Sequence, residues 1–499
     1  MTTSRAPHVV VIGAGIGGLS AALALAHEGV AVTVLERAAR PGGKLSTALV
    51  SGASLDIGPT VFTMRWVFDE LFEQVGERLD SHISLTPLSM LARHSWSATE
   101  RLDLWADIEQ SAAAIAELSG AAEAQRFRRF CARARQIYET LETPFIRAAK
   151  PSLAQLAASA LPGHIMDLWR ITPFRSLWAT LGDYFHDPRL RQLFGRYATY
   201  CGGSPWRSPA TLMLVAHVEQ SGVWSVDGGM HRIARALADM AMKKGAEFRY
   251  DTGVSEIVTT SAGVSGVTLA SGEFVAADIV VSNVDCAALA SGLFGADVVS
   301  ALPPQSPSQR SLSALTLALV GSTDGFPLHR HNVFFSDNYA MEFSDIEQRA
   351  CLPVSPTVYV CAQDRGDACA SPSSQRERLF CIVNAPANGD KHRYTVDEAA
   401  RCEAAVFALL TRHGLQIQRD PGTVVRSTPN DYADRFPGTG GALYGRAPHG
   451  WLSSFQRPGV RSKLPGLYLA GGSTHPGPGV SMSALSGHMA ARQVLKDLR

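Results

Sequence analysis

The sequence predicts an α/β protein in which a parallel-sheet domain is interleaved with a mixed-sheet domain and a helical insertion. Three observations carry this expectation. A β-α-β pattern opens the chain, the α/β character lapses into a helical stretch and then returns, and a strand-turn-helix pattern closes the chain. With 499 residues and 46% apolar content, the chain can bury large cores in two or more domains or one interleaved pair.

The run His8-Val9-Val10-Val11-Ile12 is short, continuous and β-branched, as a strand buried on both faces of a parallel sheet should be. Beyond Gly13, the residues Leu19, Ala22, Leu23 and Ala26 recur at helical spacing over 16–28, and Gly29 stops the helix. Residues 31–35 supply a second strand, completing a unit that must close right-handed. Segments 112–124 and 127–146 read as helices rich in Ala, Glu and Arg, broken up by prolines at 144, 151 and 162. Between about 223 and 285 a helix at 230–244 and strands at 246–250, 254–258 and 277–282 restore the α/β pattern. Strand candidates at 313–320, 357–361 and 379–385 suit a mixed-sheet substrate domain. Residues 466–472 then read as a buried strand running into small residues, with a helix at 483–495. The expected division is 1–85, 223–300 and 456–499 for the dinucleotide domain, 86–110 and 301–455 for the substrate domain, and 111–222 for a membrane-facing helical insertion.

Composition excludes several functions. The 46 basic and 45 acidic residues balance, so no global field draws nucleic acid to the surface. The eight cysteines are scattered without a CxxC pair, which speaks for reduced thiols in a cytoplasmic protein and against a metal site. No secretory signal pattern opens the chain, and no run reaches the roughly 18 apolar residues of a spanning helix. A soluble or peripherally attached protein is expected.

Chemistry enters at Gly13-Ala14-Gly15-Ile16-Gly17-Gly18, a GxGxxG turn between strand and helix of the Rossmann-like, dinucleotide-binding kind. Gly13 permits the tight turn, Gly15 lets the backbone approach a pyrophosphate, and Gly18 lets the helix lie close to the sheet. Glu36 ends the second strand, where a carboxylate accepts bonds from ribose hydroxyls and repels a 2′-phosphate. Pro41-Gly42-Gly43-Lys44 and Asp56-Ile57-Gly58-Pro59-Thr60 follow. In this order the segments resemble the flavin amine oxidase and phytoene desaturase superfamily, which implies FAD and the corresponding two-domain fold.

The segments 222–230, 278–283 and Thr474-His475-Pro476-Gly477-Pro478-Gly479 extend the resemblance, over nearly the whole chain, to the bacterial carotenoid desaturases. Within that family, 60–68 and 471–482 are most like the hydroxyneurosporene or methoxyneurosporene dehydrogenases. These insert the 3,4 double bond into 1-hydroxylated or 1-methoxylated acyclic carotenoids. Gly471-Gly472-Ser473 and Ser481-Met482 stand where phytoene desaturases usually have Gly-Ala-Gly and Pro-Gly. By resemblance, Gly13, Gly15, Gly18, Glu36, Gly43 and Lys44 hold the nucleotide and pyrophosphate, Val254 offers its backbone to adenine, and Gly472, Val480, Ser481 and Met482 face the flavin. A strand valine such as Val254 is otherwise ordinary core.

The same resemblance puts His475 in the turn facing the flavin, where an imidazole either accepts a proton near neutral pH or bonds a backbone carbonyl. Trp169, Phe174, Trp178, Tyr184 and Phe185 are candidates for a carotenoid tunnel, a bilayer contact or helix core. A lipophilic acyclic carotenoid substrate and a place at the cytoplasmic side of the inner membrane follow from the resemblance, with oxygen or a quinone as electron acceptor. The competing readings are a phytoene or other carotene desaturase, an amine or porphyrinogen oxidase, and a non-catalytic prenyl-lipid carrier resembling the Rab GDP-dissociation inhibitors. A carrier has no need of the intact glycine turn and Glu36.

Overall fold

The structure, a computed structural model, describes residues 7–151, 174–366, 376–420 and 422–499. Strands His8–Ile12 and Ala31–Leu35 pair in parallel and are joined by helix Ile16–His27. They belong to a five-stranded parallel sheet ordered Glu247–Arg249, Ala31–Leu35, His8–Ile12, Ile279–Ser282, Leu467–Leu469. Both faces are covered, which is why Val9, Val10, Val11, Val280 and Val281 are all fully buried. The first helix is buried almost all round because the C-terminal helix Val480–Leu498 packs along it, so tightly that a Cβ on Gly487 would collide with the Gly17 carbonyl.

The second sheet has eight strands. Seven run Gln416–Arg419, Ser313–Asp324, Glu377–Ala385, Val358–Ala362, His331–Phe334, Met90–Ser95, Arg101–Trp105, and Val425–Ser427 also pairs with Ser313–Asp324. All pairs are antiparallel except the one between His331–Phe334 and Met90–Ser95. Alternation along Ser313–Asp324 divides two cores. Leu315, Leu317 and Leu319 meet helix Val396–Arg412 through Val406, Leu409 and Leu410. Ala318 and Val320 face the helical insertion with Phe127, Phe130 and Phe194. That insertion includes helices Ile108–Ser119, Ala121–Leu141, Leu177–Tyr184 and Pro188–Gly195.

Several expectations shift. The first two insertion helices part at Gly120 (φ +90°), and Pro144 lies in the π-helical turn Glu142–Ile146 that follows Ala121–Leu141. Val254–Thr260 belongs to a separate three-stranded antiparallel sheet with Gly263–Leu269 and Phe274–Ala276. The C-terminal helix starts at Val480, three residues before the expected 483, because Gly479 (φ +113°) turns the chain directly into it. Phe185 is core, Trp178 and Tyr184 are half-buried against other rings, and Phe174 is 59% exposed beside Trp451. Trp169 lies outside the described residues. Among the described residues no helix is long and apolar enough to cross a membrane, and no cluster of side chains could hold a metal ion.

Candidate active site

The glycine turns are built by close backbone approach. Gly13 takes φ +93°, and a Cβ on Gly18 would collide with the Gly13 carbonyl oxygen, so only glycine lets the helix start so near the strand. Gly15 enters the helix in an extended conformation and no side chain caps it. The first-turn N–H groups thus keep their donors for an incoming anion, at the positive end of the helix dipole. The second turn lies directly on the first. Gly42 N–H donates to the Ala14 carbonyl at 2.8 Å, and a Cβ on Gly43 would be 3.3 Å from Gly15 Cα.

Glu36 is buried at the end of the second strand. Its Oε2 accepts the Ala14 N–H at 2.6 Å and its Oε1 the Ala38 N–H at 2.9 Å. Each oxygen keeps a further lone pair for a hydroxyl. The Glu36 main chain is bonded to Arg249 and Thr252, which brings Val254, half-buried and paired with Leu269, to the same end of the sheet.

The two ends of the chain meet at Asn283, which directly follows strand Ile279–Ser282. Its Nδ2 donates to the Ala470 carbonyl at 3.1 Å, and its Oδ1 stands 2.5 Å from where a Gly15 Cβ would be. A Cβ on Gly17 would lie 2.7 Å from Gly471 N. Beyond this contact, Ser481 Oγ donates to the Thr63 carbonyl at 2.5 Å, tying the C-terminal helix to the 56–64 stretch. Val480 is buried in the same core and Met482 packs half-buried against it. The Gly472 carbonyl accepts from Arg457 Nη1 at 3.1 Å.

Lys44 reaches across to the second domain, where its Nζ donates to the Leu443 carbonyl at 2.8 Å and stands 5.2 Å from the Phe436 ring centre. Burial pulls its pKa down against the opposing charge of Asp285, and no carboxylate lies within ion-pair reach among the described residues. His475 is fully enclosed. Its Nε2 is 2.8 Å from the Phe145 carbonyl, so Nε2 carries the proton, while Nδ1 has no partner. Burial, reinforced by Arg457, lowers its pKa to about 4. Of the two roles open to this imidazole, the structure supports the carbonyl bond, and burial opposes proton uptake at neutral pH.

Three residues carry structural duties that motif reading passes over. Asp56 accepts Met230 N–H at 2.7 Å and His231 N–H at 3.2 Å, capping helix His231–Lys243, and its main chain makes two bonds to Gln363 of the second sheet domain. Arg457, buried and bonded to the carbonyls of Tyr444, Arg446 and Gly472, pins the turn before the C-terminal helix. Asn283 stands in a motif whose strand was legible but whose bridging role was not.

Uncapped first-turn donors, side-chain-free turns, a carboxylate with spare acceptors and an unneutralised lysine together suit a dinucleotide phosphate and ribose. The comparisons agree. Residues 16–495 match the family described as flavin containing amine oxidoreductase. A hydroxyneurosporene desaturase from Rubrivivax gelatinosus is 52% identical over 495 residues, covering 99% of this chain and 94% of its own. Another from Cereibacter sphaeroides is 42% identical over 493 residues, covering 99% and 98%. Cyclohexylamine oxidase from Brevibacterium oxydans shares the fold, with a TM-score of 0.57 at 17% identity over 99% of this chain and 100% of that one. The chain therefore belongs to the flavin containing amine oxidoreductase family, with FAD as its cofactor.

Proposed function

We propose that the protein is a carotenoid desaturase that introduces the 3,4 double bond into 1-hydroxylated or 1-methoxylated acyclic carotenoids. The observation that carries this reading is the 52% and 42% identity, over nearly the full chain, to two hydroxyneurosporene desaturases. In this reading Gly13, Gly15, Gly18, Gly43 and Lys44 hold the diphosphate, Glu36 the ribose, Val254 the adenine, and Gly472, Val480, Ser481 and Met482 the flavin end. When bound, FAD supplies the hydride acceptor that oxidation of a CH–CH bond requires.

The protein's share is to bind, orient and exclude water. The strand faces that meet the insertion are apolar, with Ala318, Val333 and Phe380 packed into a dry core, and a polyene that offers few polar handles calls for apolar surroundings of this kind. His475 shapes the turn as a neutral imidazole held by Phe145. The reading adopts the discontinuous division 1–85, 223–300 and 456–499 for FAD, 86–110 and 301–455 for substrate, and 111–222 as insertion. It also places the protein peripherally on the membrane that stores its substrate. Exposed Phe174 and Trp451 support that, as does Leu49, 75% exposed in a hairpin beside the cleft lined by Arg40, Arg232 and Arg235.

Incubating the yellow holoenzyme with 1-hydroxyneurosporene or phytoene in liposomes tests the activity. The expected result is a red-shifted product, one conjugated double bond longer, from the hydroxylated polyene. Conversion of phytoene alone would overturn the substrate, and a colourless protein would favour a carrier. Protein that stayed wholly in the aqueous phase would refute the membrane placement.

A further inference from the structure

Where the insertion meets the second sheet, the chain holds a polar cluster that the cofactor site does not use. Arg196 opens the 3-10 turn Arg196–Cys201. Its guanidinium carbon stands 5.4 Å from the Tyr359 ring centre and 5.7 Å from that of Tyr200. Arg196 stands close enough to Tyr200 and Tyr444 to act on both electrostatically. All three keep part of their surface open. The open parts of these three side chains offer polar surface to a ligand beside the Arg196 guanidinium.

The arginine meets phenols there: its guanidinium bonds the Tyr200 hydroxyl. Among the described residues it makes no ion pair. Glu219, which acts on it electrostatically, is already engaged by the hydroxyls of Tyr197, at 2.7 Å, and Tyr200. On the facing strand the Tyr359 hydroxyl lies 2.7 Å from Thr60 Oγ1 and 2.7 Å from His331 Nδ1. His331 Nε2 has no partner although the residue is 2% exposed. Thr60 lies two residues beyond Gly58, which packs directly on the Lys44 carbonyl, so this cluster adjoins the second glycine turn.

We propose that Arg196, set between Tyr200 and Tyr359, is the specificity-determining residue that receives the terminal oxygen of the polyene. The proposal rests on the desaturase reading above and adds to it how the end group is recognised. A guanidinium donates and never accepts. It therefore distinguishes an end that carries an oxygen from a bare hydrocarbon end, and it treats hydroxyl and methoxy oxygens alike, since both accept. A hydrocarbon in the same position leaves a buried charge without its bond. The oxygen on C1 is only a few bonds from the 3,4 carbons, so anchoring it also selects which bond is presented for oxidation.

The test measures equilibrium binding of 1-hydroxyneurosporene and of neurosporene, which lacks the oxygen, to holoenzyme by quenching of tryptophan fluorescence. Wild type is expected to prefer the hydroxylated polyene. R196M, which keeps length and loses every donor, is expected to weaken that ligand roughly 10- to 100-fold and leave neurosporene unchanged. R196K should recover part of the loss, and Y359F should lose less than R196M. Retained flavin and an unshifted melting temperature show that the variants are folded; where R196M is not, R196K and Y359F carry the comparison. Equal weakening of both polyenes, or none, overturns the proposal. Because the readout is a binding ratio, it fails separately from the desaturase reading, which falls only if wild type does not dehydrogenate a 1-hydroxylated polyene.

Discussion

In the glycine turns a ligand meets main chain, since a Cβ on Gly18 would collide with the Gly13 carbonyl and one on Gly17 would stand 2.7 Å from Gly471 N. Around Arg196 a ligand meets side chains, contributed by Thr60, by 196–219 and by strands His331–Phe334 and Val358–Ala362. In the proposed reading the first region binds the cofactor through atoms every residue possesses. The second, in the same reading, answers to one substrate through particular side chains. The difference assigns distinct consequences to damage: in the first region a single added carbon removes the cofactor, and in the second a lost side chain changes selectivity or stability with the cofactor in place.

The largest expected effect is that of Gly18→Val. The added branches have backbone on their path and cannot be accommodated by a rotamer change, so the helix must leave the strand, at roughly 3 kcal/mol or more. The purified variant should lack flavin absorbance and unfold at lower urea; a yellow variant of normal stability would break the comparison. Next comes Glu219→Ala, which leaves the buried hydroxyls of Tyr197 and Tyr200 without their acceptor. A loss of about 3 kcal/mol in urea unfolding is expected from two stranded phenols. Flavin content should be unchanged, and a colourless Glu219→Ala protein would show that the two regions do not fail independently.

The same contrast explains what could be read before the structure. Strands His8–Ile12 and Ala31–Leu35 were legible to the residue because a strand buried on both faces is a continuous β-branched run, here bounded by glycines. Strand Ser313–Asp324 runs four residues past the expected 320, and its polar end is held by pairing with Gln416–Arg419, a ladder that hydrophobicity does not announce. The glycine turns were legible because backbone conformation is encoded locally. The pair Thr60 and Tyr359 stands 299 positions apart, and Arg196 carries no local signal separating it from any solvated arginine of a helical insertion. Arg457 and Asn283 were hidden for the same reason, since their partners are carbonyls, which every residue has.

The smallest expected effect concerns protons. His475 stays neutral in the folded protein down to about pH 4, because burial disfavours its charged form, whereas in the unfolded chain it takes up a proton near its ordinary 6.5. Between those values the unfolded state binds more protons. Stability is therefore whole above about pH 6.5, falls as the pH drops through the window and levels off below about 4. At pH 5 the contribution of this one group is about 2 kcal/mol. His488, lowered to about 4, adds to the slope in the cofactor half, and His94 and His449, lowered to about 3 and about 4, do so around the second sheet. Neither half is thus spared by acid, and wild type should unfold more readily at pH 5 than at pH 7. His475→Gln cannot titrate and keeps an amide donor for the Phe145 carbonyl, so it should lose that share of the difference while retaining flavin. Urea melts of both proteins at the two pH values measure it. An unaltered pH 5 to pH 7 difference in the variant would mean that His475 is not the neutral, buried group that its geometry describes.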